Sequence, residues 1–386
     1  LLTYNIHKLD SASVLHYVLL MKILQLIYDD PINPWVGGGG AIRTKKINEF
    51  IVLKKHSITV LTGAFPGCQR QEIINGVKYI RIGCSKNYFL SRITYGILAG
   101  FMICKSDHDL LVEDFSGNSP TFAPLFTKKK SIAIVQNYFG PRILIKNPLL
   151  GLFSFIYEYI GLRLFSFYIP VSESLVKKIR NGKKLPLYKT IPQGIDKTYF
   201  KPGKKEERYL LFVGRLDFYQ KGLDILLASL KENISLGIKL LIVGGGDYKK
   251  LKKMITNLGL TEYVEYFPHV NHDKMINIYD KSYFLCLPSR YEGWPLVCCE
   301  SYARGKPVLG TDIIGLKNVL IHNKTGIKVK HDNVKDFSKG MRNLIINDSL
   351  RKKLSKNAIS FSKNFLWDKM ALKQLSFYVT VLNKEI

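Results

Sequence analysis

The stretch IDKTYFKPGKKEERYLLFVG, residues 195–214, decides how the chain is organised. Its first part, residues 195–208, is rich in Lys and holds a Pro-Gly pair, a composition that suits a linker. Its last part, YLLFVG (209–214), is an unbroken apolar run closed by glycine, the pattern of a strand buried on both faces. Downstream the pattern repeats in KLLIVGGG (239–246), VEYFPHV (264–270), YFLCLP (283–288) and PVLGTD (307–312), with helical segments between. Upstream the same alternation runs through KILQLIY (22–28), SITVLTG (57–63), KYIRIG (78–83), DLLVED (109–114), SIAIVQN (131–137), FYIPVSES (167–174) and YKTIPQG (188–194). Strand–helix alternation on both sides of one linker implies an α/β protein of two doubly wound, Rossmann-like parallel-sheet domains. Ligands of such sheets sit at the carboxyl ends of the strands, so two facing sheets are expected to share a cleft. The expected division is a domain over 21–194, a linker over 195–208 and a second domain over 209–365. Residues 366–386 carry helical spacing and are expected to pack back across the domains.

The chain has 386 residues, 46% of them hydrophobic, which is ample for two cores. The outlying number is a net charge of +28, from 58 basic and 30 acidic residues. Such a field favours anionic partners: nucleotide phosphates, nucleic acid or acidic lipid headgroups. The cations are spread in short pairs, and the densest run is Lys128 to Lys130, so much of the charge reads as solvated surface. Six cysteines form no C-x-x-C pair and no zinc spacing with histidine, so they read as reduced thiols of a cytoplasmic protein. The longest apolar stretch, 149–169, is broken by Glu158 and Arg163 and reads as a buried or interfacial helix. Met21 opens the first strand, so residues 1–20 are expected to be an upstream extension; they lack the basic start and small-residue cleavage site of a signal peptide.

Three segments carry chemistry. WVGGGGAIR (35–43) puts a glycine run, including Gly38 and Gly39, between the first strand and a helix. Glycines let the backbone approach a ligand closely, and the helix start offers N–H groups to an anion. The run is not a G-x-G-x-x-G fingerprint, so it does not support a nicotinamide site. VGRLDFYQKGLD (213–224) places Arg215 and Lys221 after Gly214 at the end of a strand, an arrangement suited to a diphosphate. RYEGWPLVCCE (290–300) holds Glu292 and Glu300 on either side of Gly293, Trp294, Pro295 and Leu296. Pro295 suits the first position of a helix, which places Glu292 in the loop and Glu300 inside the helix. Amides near Trp294, Leu296 and Val297 would then serve a phosphate, and the two carboxylates would accept hydrogen bonds from sugar and ribose hydroxyls. Each segment alone also suits an ordinary loop or helix start.

Together the segments resemble the retaining glycosyltransferases of family 4, which have the GT-B fold. The resemblance covers most of the chain from Met21 onward. It is strongest from YLLFVGRLDFYQKG to LPSRYEGWPLVCCESYARGKPVLGTDIIGL, with Glu292 and Glu300 matching that family's E-x7-E motif. IPQGIDKTYF (191–200) looks like its interdomain segment. The resemblance implies that Glu292 contacts the donor sugar and Glu300 the ribose. It also implies that Arg215 and Lys221 hold the diphosphate, that Gly293 to Leu296 present amides, and that the Gly37–Gly40 loop lies over the phosphates near the acceptor. Many members carry a histidine after the strand matched by SIAIV. This chain has Gln136 there, a side chain that hydrogen-bonds but carries no proton charge.

The expected reaction is transfer of a glycosyl group, with retention, from a UDP- or GDP-sugar to a hydroxyl of a glycan or lipid-linked acceptor. Closure of the domains would exclude water. No metal or other cofactor is expected. The charge, and the aromatic stretch from Tyr138 to Tyr168, favour peripheral contact with an anionic membrane at its cytoplasmic face. Other readings are a different GT-B enzyme such as a sugar-nucleotide epimerase or polysaccharide synthase, a donor-binding protein without turnover, and a basic nucleic-acid-binding protein. The last lacks a recognised module or a basic face with stacking aromatics, so no nucleic acid is expected. The Asp107-His108-Asp109 triplet precedes its strand, where a metal pair would follow one, and is not expected to bind metal.

Overall fold

The computed structural model describes residues 20–142, 148–180, 186–200 and 207–384. The strands are β1 (Lys22–Leu26), β2 (Ser57–Gly63), β3 (Gln71–Ile74), β4 (Val77–Ile82), β5 (Leu110–Phe115), β6 (Lys130–Val135), β7 (Phe167–Pro170), β8 (Leu187–Tyr188), β9 (Tyr209–Val213), β10 (Lys239–Val243), β11 (Val264–Phe267), β12 (Leu285–Leu287), β13 (Val308–Thr311) and β14 (Gly326–Val329). The helices are α1 (Gly39–Leu53), α2 (Tyr88–Lys105), α3 (Pro148–Gly161), α4 (Glu173–Arg180), α5 (Phe218–Lys221), α6 (Leu223–Glu232), α7 (Tyr248–Asn257), α8 (His272–Lys281), α9 (Leu296–Ala303), α10 (Val334–Ile346), α11 (Asp348–Ser362) and α12 (Trp367–Asn383). The described residues fall into two compact units. One lies within Leu1–Pro170, Ile179–Ile191 and Ala371–Ile386, the other within Val171–Lys178 and Pro192–Met370.

The first unit is built on a sheet of order β3-β4-β2-β1-β5-β6-β7-β8. All neighbours are parallel except β3 and β4. These two form a hairpin absent from the sequence reading. Its turn is Asn75-Gly76, both at positive φ (49° and 82°), the backbone that a two-residue hairpin of right-twisted strands requires. β5 is buried along its whole length, including Glu113 and Asp114, as expected for a central parallel strand. The expected strand over 188–194 shrinks to β8, because Pro192 cannot extend the ladder. The apolar stretch 149–169 divides into α3, a short 3-10 turn and the start of β7.

The second unit carries a sheet of order β11-β10-β9-β12-β13-β14, all parallel. The sequence reading had every strand of this sheet except β14. Asp and Asn caps start its helices: Asp217 accepts the Gln220 amide, Asp247 that of Lys250, and Asn271 that of Lys274. A core of Leu210, Phe212, Leu226, Leu240 and Ile242 fills one side of the sheet, and Leu285, Leu287, Cys298 and Tyr302 the other. Part of the linker lies outside the described residues, as does the expected extension up to residue 19. Among the described residues no helix is long and apolar enough to cross a membrane.

Candidate functional site

In the second sheet the strand order reverses at β9, which lies between β10 and β12. Loops at such a switch point leave the carboxyl ends of neighbouring strands in opposite directions and open a crevice between them. Here those loops are 214–222 and 288–295, the two segments singled out from the sequence. They are bound to each other. The Arg290 amide donates to the Gln220 carbonyl at 2.9 Å, and Gln220 Nε2 donates to the Tyr291 carbonyl at 3.4 Å. At Gly222 (φ +66°) a Cβ would lie 2.1 Å from the Pro288 carbonyl oxygen, so only glycine permits this approach.

Arg290 adds a second tie. Its guanidinium is bidentate on Asp224, at 3.0 and 2.8 Å, and also binds Asp332 and the carbonyls of Phe218 and Tyr219. Partial burial alone would raise the Asp224 carboxyl, but the Arg290 hydrogen bonds outweigh it and lower it below the usual range. These contacts hold the start of α6 to the loop that carries Glu292.

Within this frame Lys221 Nζ meets Glu292 Oε1 at 2.6 Å, and the two side chains are only 13% and 7% exposed. Ser289 Oγ donates to the same oxygen at 2.7 Å. The backbone of Glu292 is backed by Gly315, where a Cβ would lie 2.0 Å from the Glu292 carbonyl oxygen. Arg215 is exposed at the rim, its Nη2 donating to Gln220 Oε1 at 3.3 Å. Gly293 and Pro295 are buried and Trp294 is half-buried.

The sequence reading put Pro295 at the first helical position. The helix begins one residue later, at Leu296, because Pro295 has an extended ψ of 99° and occupies the capping position. Among the described residues no side chain caps this helix and its first turn holds no acid, an arrangement that suits an anion at its amide end. Glu300 sits on α9 as expected. Its Oε2 accepts the Tyr279 hydroxyl at 2.8 Å. Burial raises its carboxyl above the usual range, and the Tyr279 and Tyr199 hydroxyls partly offset the rise. The two glutamates therefore differ in kind: one is matched to a cation, the other to phenols.

The remaining candidates lie in the first unit. The glycine run is only partly a loop. Gly38 is the cap residue of α1, and Gly39 and Gly40 are its first helical residues. Gly40 packs on Gln136, whose Nε2 would lie 2.9 Å from a Cβ at that position. Gln136 Nε2 donates to Asp114 Oδ1 at 2.6 Å, while Asp114 Oδ2 accepts from Gln25 Nε2 at 2.6 Å and Thr44 Oγ1 at 2.8 Å. Burial raises the Asp114 carboxyl, and Arg43 and these donors offset part of the rise. The glycine run and Gln136 thus come together around a carboxylate that the sequence reading treated only as part of a strand. Ser289, Arg290, Tyr199 and Tyr279 were likewise missed. Arg290 opens the quoted motif and Ser289 directly precedes it, but nothing in the sequence pairs the tyrosines with Glu300.

The Asp107-His108-Asp109 triplet is used structurally. Asp107 pairs with Lys22 Nζ at 2.5 Å, and Asp109 accepts the Lys22 amide at 2.8 Å. Among the described residues no group of His, Cys, Asp and Glu is placed to hold a metal ion.

Residues 195–361 match the family described as glycosyl transferases group 1. An uncharacterized glycosyltransferase of Methanocaldococcus jannaschii is 35% identical over 163 residues, 42% of this chain and 45% of that protein. The chain thus spans about half the length of this relative. A second uncharacterized glycosyltransferase of the same organism is 26% identical over 398 aligned positions, covering 93% of this chain and 98% of that protein. Among solved structures, sucrose-phosphate synthase of Thermosynechococcus elongatus superposes with a TM-score of 0.79 at 18% identity, over 94% of this chain and 99% of that one. The fold is GT-B, and the likenesses support a glycosyltransferase.

Proposed function

We propose that the chain is a retaining glycosyltransferase that moves a glycosyl group from a UDP- or GDP-sugar to a hydroxyl of a glycan or lipid-linked acceptor. The observation that carries this reading is the Lys221–Glu292–Ser289 cluster at the strand-order switch of the second sheet. A half-buried cation, a carboxylate that accepts hydroxyl hydrogen bonds and a helix start without a side-chain cap stand together there. A sugar diphosphate presents the matching groups: hydroxyls at one end, anionic oxygens at the other.

In the proposed reaction the bond from the anomeric carbon to the diphosphate oxygen breaks, and its electron pair stays on that oxygen. Lys221, Arg215 and the amides from Gly293 to Leu296 stabilise the charge that develops there. Glu292 orients the sugar through its hydroxyls, and Glu300 the ribose. The acceptor oxygen bonds to the anomeric carbon from the same face, and its proton passes to the departing phosphate. Gln136, held by Asp114, orients a sugar hydroxyl without taking a proton. No metal or further cofactor takes part in this scheme, and the enzyme works in the cytoplasm.

The test is a panel of UDP- and GDP-sugars added to the purified chain, read by thermal stabilisation and by slow release of nucleotide. Stabilisation by one donor with hydrolysis supports the reading and names the donor. The anomeric configuration of a product, read by NMR, separates retention from inversion. Stabilisation without turnover, even with glycan and lipid acceptors present, favours the donor-binding alternative that the uncharged Gln136 suggests. No response to any donor overturns the reading.

A further inference from the structure

Helix α2 turns an apolar stripe outward. Leu90, Ile93, Ile97 and Phe101 recur at three- and four-residue spacing and are 50%, 45%, 60% and 63% exposed. The opposite face of the helix is already filled by Ser91, Tyr95, Ala99 and Ile103, all buried. The stripe is therefore an addition to the core-facing side and not a misplaced part of it. Helix α3 does the same with Leu152, Phe153, Ile156 and Ile160. Both helices abut one loop. Arg92 on α2 donates to Ser119 Oγ at 2.6 Å and to the Asn118 carbonyl at 3.2 Å. Ser154 on α3 donates to Asn118 Oδ1 at 3.0 Å. Gly100 packs on the ring of Phe126, which is itself exposed, and neighbouring Leu125 is 66% exposed. Soluble monomers rarely leave large apolar patches uncovered.

Acids are sparse in the segments that build this surface, and the one on α3, Glu158, is buried. No Asp or Glu occurs from Ile73 to Ser106 or from Phe115 to Tyr157. Of the four acids in between, Glu113 and Asp114 are buried, Asp107 pairs with Lys22, and Asp109 accepts the Lys22 amide. Exposed lysines stand at both ends of α2 (Lys86 and Lys105) and just beyond Phe126 (Lys128 and Lys129). Two copies of a chain with a net charge of +28 repel, whereas an anionic bilayer attracts it and takes up apolar side chains between lysines that reach the headgroups.

We propose that the outward face of α2, with the Leu125–Phe126 turn and α3, is a docking surface for an anionic lipid bilayer. The face inserts its apolar side chains at the level of the headgroups while Lys86, Lys105, Lys128 and Lys129 bind phosphates. This surface stands on the first unit alone and does not depend on the transferase reading.

The test is flotation of the full chain with vesicles of phosphatidylcholine, with and without phosphatidylglycerol, in the absence of any sugar nucleotide. The wild-type chain is expected to float with the anionic vesicles and much less with the zwitterionic ones. The double variant Ile97→Glu/Phe101→Glu is expected to lose about tenfold or more in bound fraction at an unchanged melting temperature. Ile346→Glu, at an equally exposed apolar site on α10 in the other unit, is expected to bind as the wild type does. Absence of flotation overturns the proposal, as does equal flotation of the double variant, which would leave charge alone at work. A fall in melting temperature would show the stripe to be packed within the chain and overturn it too. So would a wild-type dimer that the double variant splits, since the occupant would then be a second copy.

Discussion

The ammonium group of Lys221 lies 2.6 Å from Oε1 of Glu292, a residue 71 positions away, and both side chains are almost wholly withdrawn from solvent. The pair is buried, so each charge depends on the other. It is also the point where the proposed substrate would bring both an anion and hydroxyls.

Removing one partner is expected to be felt twice. Lys221→Met leaves the Glu292 carboxylate buried with Ser289 as its side-chain donor among the described residues, and stability should fall by about 3 kcal/mol. Glu292→Gln keeps an acceptor for Ser289 and for a hydroxyl, and should cost less. Both should lower donor turnover by about a hundredfold or more. Urea denaturation and nucleotide release measure the two effects; variants as stable and as active as the parent would remove the pair from the site.

Gly315→Ala tests the support behind Glu292. A Cβ there would lie 2.0 Å from the Glu292 carbonyl oxygen, and a backbone atom cannot swing away. The loop must shift, at an expected cost of about 2 kcal/mol, and thermal stabilisation by the donor should fall with it. A variant that melts as the parent does and keeps its donor response would show that the loop position is not set here.

Gly40→Ala is a milder change. Its Cβ would meet the end of the Gln136 side chain, which can turn away. Stability is expected to fall by about 1 kcal/mol or less, while transfer falls toward the level of Gln136→Ala. If Gln136→Ala itself transfers normally, Gln136 does not act on substrate.

The pH dependence of stability should carry the mark of Glu113. Burial pushes its carboxyl up from 4.5 to about 7, against the opposing hydrogen bonds from Thr121 and Tyr157. Between these values the folded chain holds a proton that the unfolded chain has released. Glu113 therefore contributes a loss of stability as pH rises from 4.5 to about 7, at up to about 1.4 kcal/mol per pH unit, and no further change above that. Glu113→Gln should remove this slope, so its stability relative to the wild type should increase from pH 5 to pH 7 in parallel urea titrations. Parallel profiles would mean that Glu113 is ionised in the fold.

Much of the fold was legible because buried parallel strands announce themselves as unbroken apolar runs. Strand β4 was read, but its hairpin partner β3 was not, since β3 is short and alternates, and the Asn75-Gly76 turn went unweighted. In the site, Pro295 as a helix-start residue was enough to place Glu292 on a loop and Glu300 on a helix. The partners of those residues were not legible. Tyr279 reaches Glu300 from α8, and Asp114 reaches Gln136 from the neighbouring strand β5. The apolar stripe of α2 reads in sequence like any core-facing helix, because periodicity reports that a face exists and not which way it points.

By itself, then, the sequence determined the local matters: the two strand–helix series, the glycines that end strands, and the carboxylates around a helix start. These follow from short-range periodicity and backbone preference. Only the tertiary structure decided that β9 lies beside β12, which brings Lys221 onto Glu292, and that Gly222 and Gly315 press against Pro288 and Glu292. Strand order is set by how whole crossovers pack on a sheet, a balance struck over the entire unit, and no segment carries it alone.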